Sequence, residues 1–231
     1  MSNELVLIAF YIVILLYSII IHEVAHGVAA LFLGDPTAKY AGRITLNPLK
    51  HIDPWMTIGL PVLMLVLTNF QFAFGGAKPV PYNPYNLKDQ KLGPALVGMA
   101  GPGVNIAIAL LAGIFARIIN IPVVAKTEII YNFSNWSKLS ELISGSVGAI
   151  FFEILVIIIF WNVLLAFFNL IPIPPLDGSK LLFTVFPAKA ETIMMWEQFG
   201  FVILLFFIFF FSGPLSTFLN SMLSLFLGIA L

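Results

Sequence analysis

The sequence contains no cysteine, which excludes disulfides, thiolate metal sites and a cysteine nucleophile. Charge is scarce: Asp, Glu, Lys and Arg together make up 10% of the 231 residues, against about 25% in an average soluble domain. Neither sign is in excess, with eleven basic and eleven acidic side chains, so no nucleic acid is implied as a partner. The N-terminal flank is acidic at Glu4 and lacks a basic n-region, so a cleavable signal peptide is not expected. No internal repeat is visible.

What is abundant is hydrophobicity, at 60% of residues. Four stretches, 5–33, 92–116, 142–176 and 199–231, carry almost no charge outside the segment from His22 to His26 and Glu153. Each is at least as long as the roughly 20 apolar residues that cross a bilayer core. The fold class expected is an all-α polytopic membrane protein with four to six membrane segments. The intervening segments are too short for a separate soluble domain, so 1–231 reads as one domain.

Residues 5–33 form a first helix, stopped by Gly34-Asp35-Pro36. Residues 38–46, rich in Tyr, Ile and Thr and closed by Asn47-Pro48, are expected to form a strand of a short β-hairpin. The apolar run 55–68 contains Gly59 and Pro61 and is too short to span, which marks a re-entrant or interfacial piece. Glycines and prolines make 71–85 irregular. The region 34–91 is thus a β/re-entrant insertion, followed by a span at 92–119 and another within 148–180. The last stretch, 199–231, is interrupted at Gly213-Pro214 and is either one kinked span or two pieces.

The chemistry concentrates in His22-Glu23-Val24-Ala25-His26. An i, i+4 spacing puts both imidazoles on one helical face, where two nitrogens can enter one zinc shell. Glu23 is close enough to serve as general base toward a metal-activated water. Three ionisable groups at bilayer depth are costly, and such groups are functional by default. A catalytic zinc wants a third protein ligand. Glu153 sits in regular helix, whereas Asp177 follows the Pro-rich break 172–175 and can turn inward, so Asp177 is the better third ligand. His51 and Asp53 read as a polar loop turn rather than a second metal site.

For Asp177 to reach the depth of the first-helix motif, one complete crossing must separate the two helices. The span 92–119 supplies it if 55–82 dips in and returns. The site side then holds Lys39, Arg43, Lys50, Lys78, Lys88, Lys91, Lys180 and Lys189, against Arg117, Lys126 and Lys138 opposite. By the positive-inside rule the site lies in the cytoplasmic half of the membrane.

Three motifs in order, His22-Glu23-x-x-His26-Gly27, Gly101-Pro102-x-x-Asn105 and Asn169-x-x-Pro172-x-Pro174-x-x-Asp177-Gly178, resemble those of the site-2 protease family of intramembrane zinc metalloproteases. The resemblance covers about residues 5–180 and is closest to small prokaryotic members without PDZ or cystathionine-synthase-like domains. It implies His22, His26 and Asp177 as Zn2+ ligands, Glu23 as catalytic base, and membrane-anchored proteins as substrates within the lipid bilayer of a prokaryotic cell. Ser179 departs from a frequent second glycine, and no extra span precedes the motif helix, as it does in some relatives. Asn105 and Asn169 are candidates for oxyanion or substrate-backbone contacts, with interhelical hydrogen bonding as the equal alternative.

An extended substrate could pair with the 38–46 strand or the 75–85 loop. Glu153 is expected as an interfacial carboxylate, Asn162 in the bundle interior, and the phenylalanines of 199–211 against lipid. Gly98, Gly101 and Gly103 are expected to allow close packing on the motif helix. A metal transporter or a non-catalytic scaffold are the competing functions. The first is disfavoured by the absence of repeats and the second by an intact Glu23.

Overall fold

The computed structural model describes residues 2–67, 69 and 75–231. Among the described residues, four helices are long and apolar enough to cross a membrane. They are α1 (Ser2–Phe32), α4 (Gly93–Ile118), α7 (Val147–Asn169) and α9 (Ala190–Ala230). Between them lie α2 (Thr37–Tyr40), α3 (Leu60–Leu67), α5 (Val123–Tyr131), α6 (Trp136–Ile143) and α8 (Gly178–Val185). A π-turn, Pro54–Gly59, leads into α3.

Helix directions follow from which ends meet. The C-terminal half of α1 faces the start of α4, where His26 contacts the Val97 carbonyl. The N-terminal half of α1 faces the connection after α4, where the Tyr11 hydroxyl donates to the Phe133 carbonyl. Successive long helices therefore alternate in direction. The insertion 51–80 begins and ends at the C-terminal end of α1: Lys78 N–H donates to the His51 carbonyl and Gly76 N–H to the Met56 carbonyl.

No strand occurs among the described residues, which corrects the hairpin expected at 38–46. Asp35 accepts hydrogen bonds from the Thr37 backbone N–H and hydroxyl, and this starts a helical turn immediately after α1. Ala38 is fully buried, packed where a Cβ on Gly27 would stand 3.1 Å from it. The chain then reverses at Gly42, with φ +65°. Tyr40 projects outward with no strand beside it, so the β preference of Tyr, Ile and Thr has nothing to act on. Of the irregular stretch expected at 71–85, residues 71–74 lie outside the described residues, as does residue 68 of the apolar run 55–68. Residues 75–83 are irregular as expected.

The C-terminal stretch is one crossing. Gly200 packs on Pro174 near the C-terminal end of α7, and the Ala230 carbonyl lies 3.5 Å from Lys126 Nζ at the far end of the bundle. The kink at Phe211 (φ −114°, ψ 20°) comes just before Pro214, whose ring clashes with the carbonyl four residues back and which lacks an N–H. Phe206, Phe209, Phe210 and Phe211 are exposed on its surface, as expected for lipid-facing positions, while Phe207 packs with Leu204 against Ile171 and Leu176.

Candidate metal centre

On α1 the rings of His22 and His26 stand one turn apart, centroids 4.7 Å and nearly perpendicular. Both are buried. His26 Nδ1 lies 2.7 Å from the Val97 carbonyl of α4. A carbonyl only accepts, so Nδ1 carries the proton and Nε2 is left with a free lone pair. His22 Nδ1 likewise faces Asn105 Oδ1 at 3.1 Å, which leaves its Nε2 free. These outer partners set the tautomers and ring orientations that metal-ligating histidines require.

Asp177 is delivered by the break after α7. Ile171 and Leu176 are buried against Leu204 of α9, the Pro174–Pro175 bond is cis, and α8 starts directly after the carboxylate. Asp177 Oδ2 lies 3.0 Å from His22 Nε2 and 3.1 Å from His26 Nε2. Three lone-pair donors therefore converge, with the imidazole protons committed elsewhere. Without a cation between them such a group repels itself. A tetrahedral zinc shell with ligands at about 2.0–2.1 Å has edges near 3.3 Å, close to the separations seen. The donor set fits zinc.

Gly101 of α4 makes the convergence possible. A Cβ there would come within 2.6 Å of the Nε2 atoms of both histidines. Gly98, Gly101 and Gly103 of α4 nevertheless divide. Gly101 faces the motif helix, as expected. Gly98 faces Asp177 and Lys180 instead, and Gly103 has nothing within 4 Å of a built Cβ.

Glu23 is partly exposed, and its Oε2 accepts the Val80 N–H at 2.9 Å. One ligand atom from each of His22, Glu23 and His26 can be taken with all three within 4.8 Å of one another. Gly27, the next small residue, gives the 75–80 segment room: its Cβ would stand 2.9 Å from Val80 Cγ1. A cavity of about 420 Å³ opens over the group, lined among others by Ile19, Val80, Leu165, Phe168 and Asn169.

The two candidate asparagines occupy different places. Asn105 is fully buried beneath His22 and is not among the cavity-lining residues. Asn169 lines the cavity and donates one amide hydrogen to the Leu165 carbonyl. His51 bonds to the Thr45 carbonyl, and Asp53 caps the Trp55 and Met56 N–H groups, the loop-turn role expected of them. Asn162 is interior and bonds Ser18 across α1 and α7. Glu153 corrects its expectation. Rather than interfacial it is 1% exposed, with neither oxygen hydrogen-bonded.

Lys180 is the residue that sequence reading did not single out. Its ammonium lies 2.9 Å from Asp177 Oδ1. Burial opposes its charge, but Asp177, with Tyr82 and Glu23 nearby, holds the ammonium above its ordinary pKa. The i, i+3 spacing from Asp177 on a helix start is the signal that could have found it.

A polytopic helical bundle with such a donor cluster inside it defines a class, and comparison with known proteins gives the family. The model of peptidase family M50 matches residues 10–211, and the chain belongs to this family. It is 33% identical over 206 residues to the Bacillus subtilis (strain 168) protein named "Putative zinc metalloprotease YwhC", covering 86% of this chain and 80% of that one. Proteins named "Putative zinc metalloprotease Rip2" from Mycolicibacterium smegmatis and Mycobacterium tuberculosis (strain H37Rv) are 28% and 27% identical. The alignments cover 81% and 82% of this chain and 62% of each of those proteins. No solved structure matches. The chain is a multi-pass membrane protein.

Proposed function

We propose that this protein is an intramembrane zinc endopeptidase that hydrolyses peptide bonds within or near transmembrane segments of membrane-anchored proteins. The observation that carries this reading is the convergence of His22 Nε2, His26 Nε2 and Asp177 Oδ2 beside Glu23, under a cavity inside the bundle. His22, His26 and Asp177 hold the metal. Zinc, when bound, supplies Lewis acidity toward the scissile carbonyl and toward water.

Glu23 takes the proton from the attacking water and passes it to the leaving amine, with the Val80 N–H fixing its second oxygen. Asn105 orients His22 and keeps its tautomer. Asn169, in the cavity wall, offers its amide to the substrate backbone. The 75–80 segment borders the cavity and has its Gly76 and Lys78 N–H groups committed to the 51–57 side, so an extended substrate lies along its other side. The basic residues at the site end favour a cytoplasmic-half location in a prokaryotic cell membrane.

The test pairs zinc content with cleavage of tagged single-span substrates, comparing wild type with Glu23→Gln. Bound zinc in both, with cleavage lowered about 10²–10⁴-fold in the variant, supports the assignment. A well-folded wild type that binds no zinc sinks it.

A further inference from the structure

Resting on the zinc reading above, we infer that Lys180 is a positioning residue that restricts Asp177 to ligation through one oxygen. The two carboxylate oxygens are unequal in the fold. Oδ2 faces both imidazoles, at 3.0 and 3.1 Å, while Oδ1 is taken by the Lys180 ammonium at 2.9 Å. A free carboxylate can bind a metal with one oxygen or two. With two it would fill the position that a catalytic zinc keeps open for water and substrate.

The lysine is itself fixed. Its stem fills the notch left by Gly98, where a built Cβ would stand 2.9 Å from Lys180 Cδ and 3.1 Å from Lys180 Cβ. Its Nζ lies 5.5 Å from the centroid of the Tyr82 ring, over the ring face. Held in this way, the ammonium also offsets the charge of Asp177. The three-ligand set with Lys180 is then formally neutral and leaves the metal its full electrophilicity.

The prediction has an unusual sign. Lys180→Met keeps the stem but frees Oδ1 and removes a cation beside the site. Zinc should bind as tightly as in wild type or up to about tenfold tighter, while kcat falls about 10–100-fold with KM little changed. Cobalt-substituted Lys180→Met should show the weaker visible absorption of a more than four-coordinate site. Lys180→Arg, which keeps charge and donor, should restore the four-coordinate spectrum and most of kcat.

A wild-type cobalt spectrum in Lys180→Met overturns the inference, as does looser zinc binding, which marks a structural role. Lys180→Leu, which likewise leaves Oδ1 without a donor, serves if the methionine variant does not fold. Failure of both to fold also overturns it. A wild type that holds no zinc fails the broader reading, whereas zinc binding in all variants with unchanged coordination fails this one alone.

Discussion

The two ends of the bundle bury polar groups in opposite ways. At the site end, His22, His26, Asp177 and Lys180 each have a named partner, and Asp35 accepts from Thr37, Asn83 and Asn86. Apolar packing there is divided into two small buried clusters, Ala30, Leu87 and Val97, and Ile171, Leu176 and Leu204. At the far end lie a large apolar cluster, including Phe152, Ile159, Leu139 and Phe226, and a buried Glu153 with neither oxygen hydrogen-bonded. Tyr11 and Lys126 are exceptions there: the Tyr11 hydroxyl donates to the Phe133 carbonyl, and the Lys126 ammonium meets the Ala116 and Arg117 carbonyls at the end of α4, the favourable place for a cation. The site end is organised by hydrogen bonds that fix directions, and the far end by packing that supplies stability without direction.

This contrast makes predictions of graded size. The largest is at Gly101, where alanine would drive a methyl into both Nε2 atoms. Gly101→Ala should weaken zinc binding on the order of 100-fold, about 2.7 kcal/mol, while the far-end packing keeps the apo-protein folded. Chelator competition and thermal unfolding in detergent read the two effects separately.

Asp35→Ala should cost about 2–3 kcal/mol, because donors from α2 and from 83–86 lose a shared acceptor. Burial raises the Asp35 pKa, but hydrogen bonds from Thr37, Asn86 and Asn83 outweigh it and hold the group below the ordinary carboxylate value. A depressed folded-state pKa contributes stability above the unfolded value of about 3.9 and loses it as pH falls through the folded one. Wild type should thus lose stability from about pH 4 downward, and Asp35→Asn should lack that component. Equal acid sensitivity in the two proteins would remove Asp35 from the account.

At the far end the effects should be smaller and differ in sign. Lys126→Met should destabilise by about 1–2 kcal/mol, since buried carbonyls lose a charged donor. Glu153→Leu removes a buried carboxyl that has no partner and should stabilise by about 1 kcal/mol, with zinc content and cleavage unchanged. Loss of cleavage in that variant would show that the far end takes part in function and would end the comparison.

Much of this was legible in the sequence because it is local. Hydrophobic length marks spans irrespective of their neighbours, and α1, α4, α7 and the C-terminal helix lie where such runs occur. The His22–Glu23–His26 spacing fixes a shared helical face without tertiary help. The hairpin at 38–46 failed for the opposite reason: β propensity needs a partner strand, and Asp35 and the Gly27 notch instead favour a helical turn. Glu153 was misplaced because distance along a helix does not report what packs over it.

By itself, then, the sequence determined where the long apolar runs lie and that His22 and His26 share one face of the first helix, since both follow from helical periodicity and the thickness of a bilayer. Only the tertiary structure decided which oxygen of Asp177 faces the histidines, and that Asn105 turns to His22 while Asn169 faces the cavity. Those choices depend on side chains 83 and 155 residues apart in the chain, and on the space that Gly101 leaves between helices. No local pattern encodes such contacts.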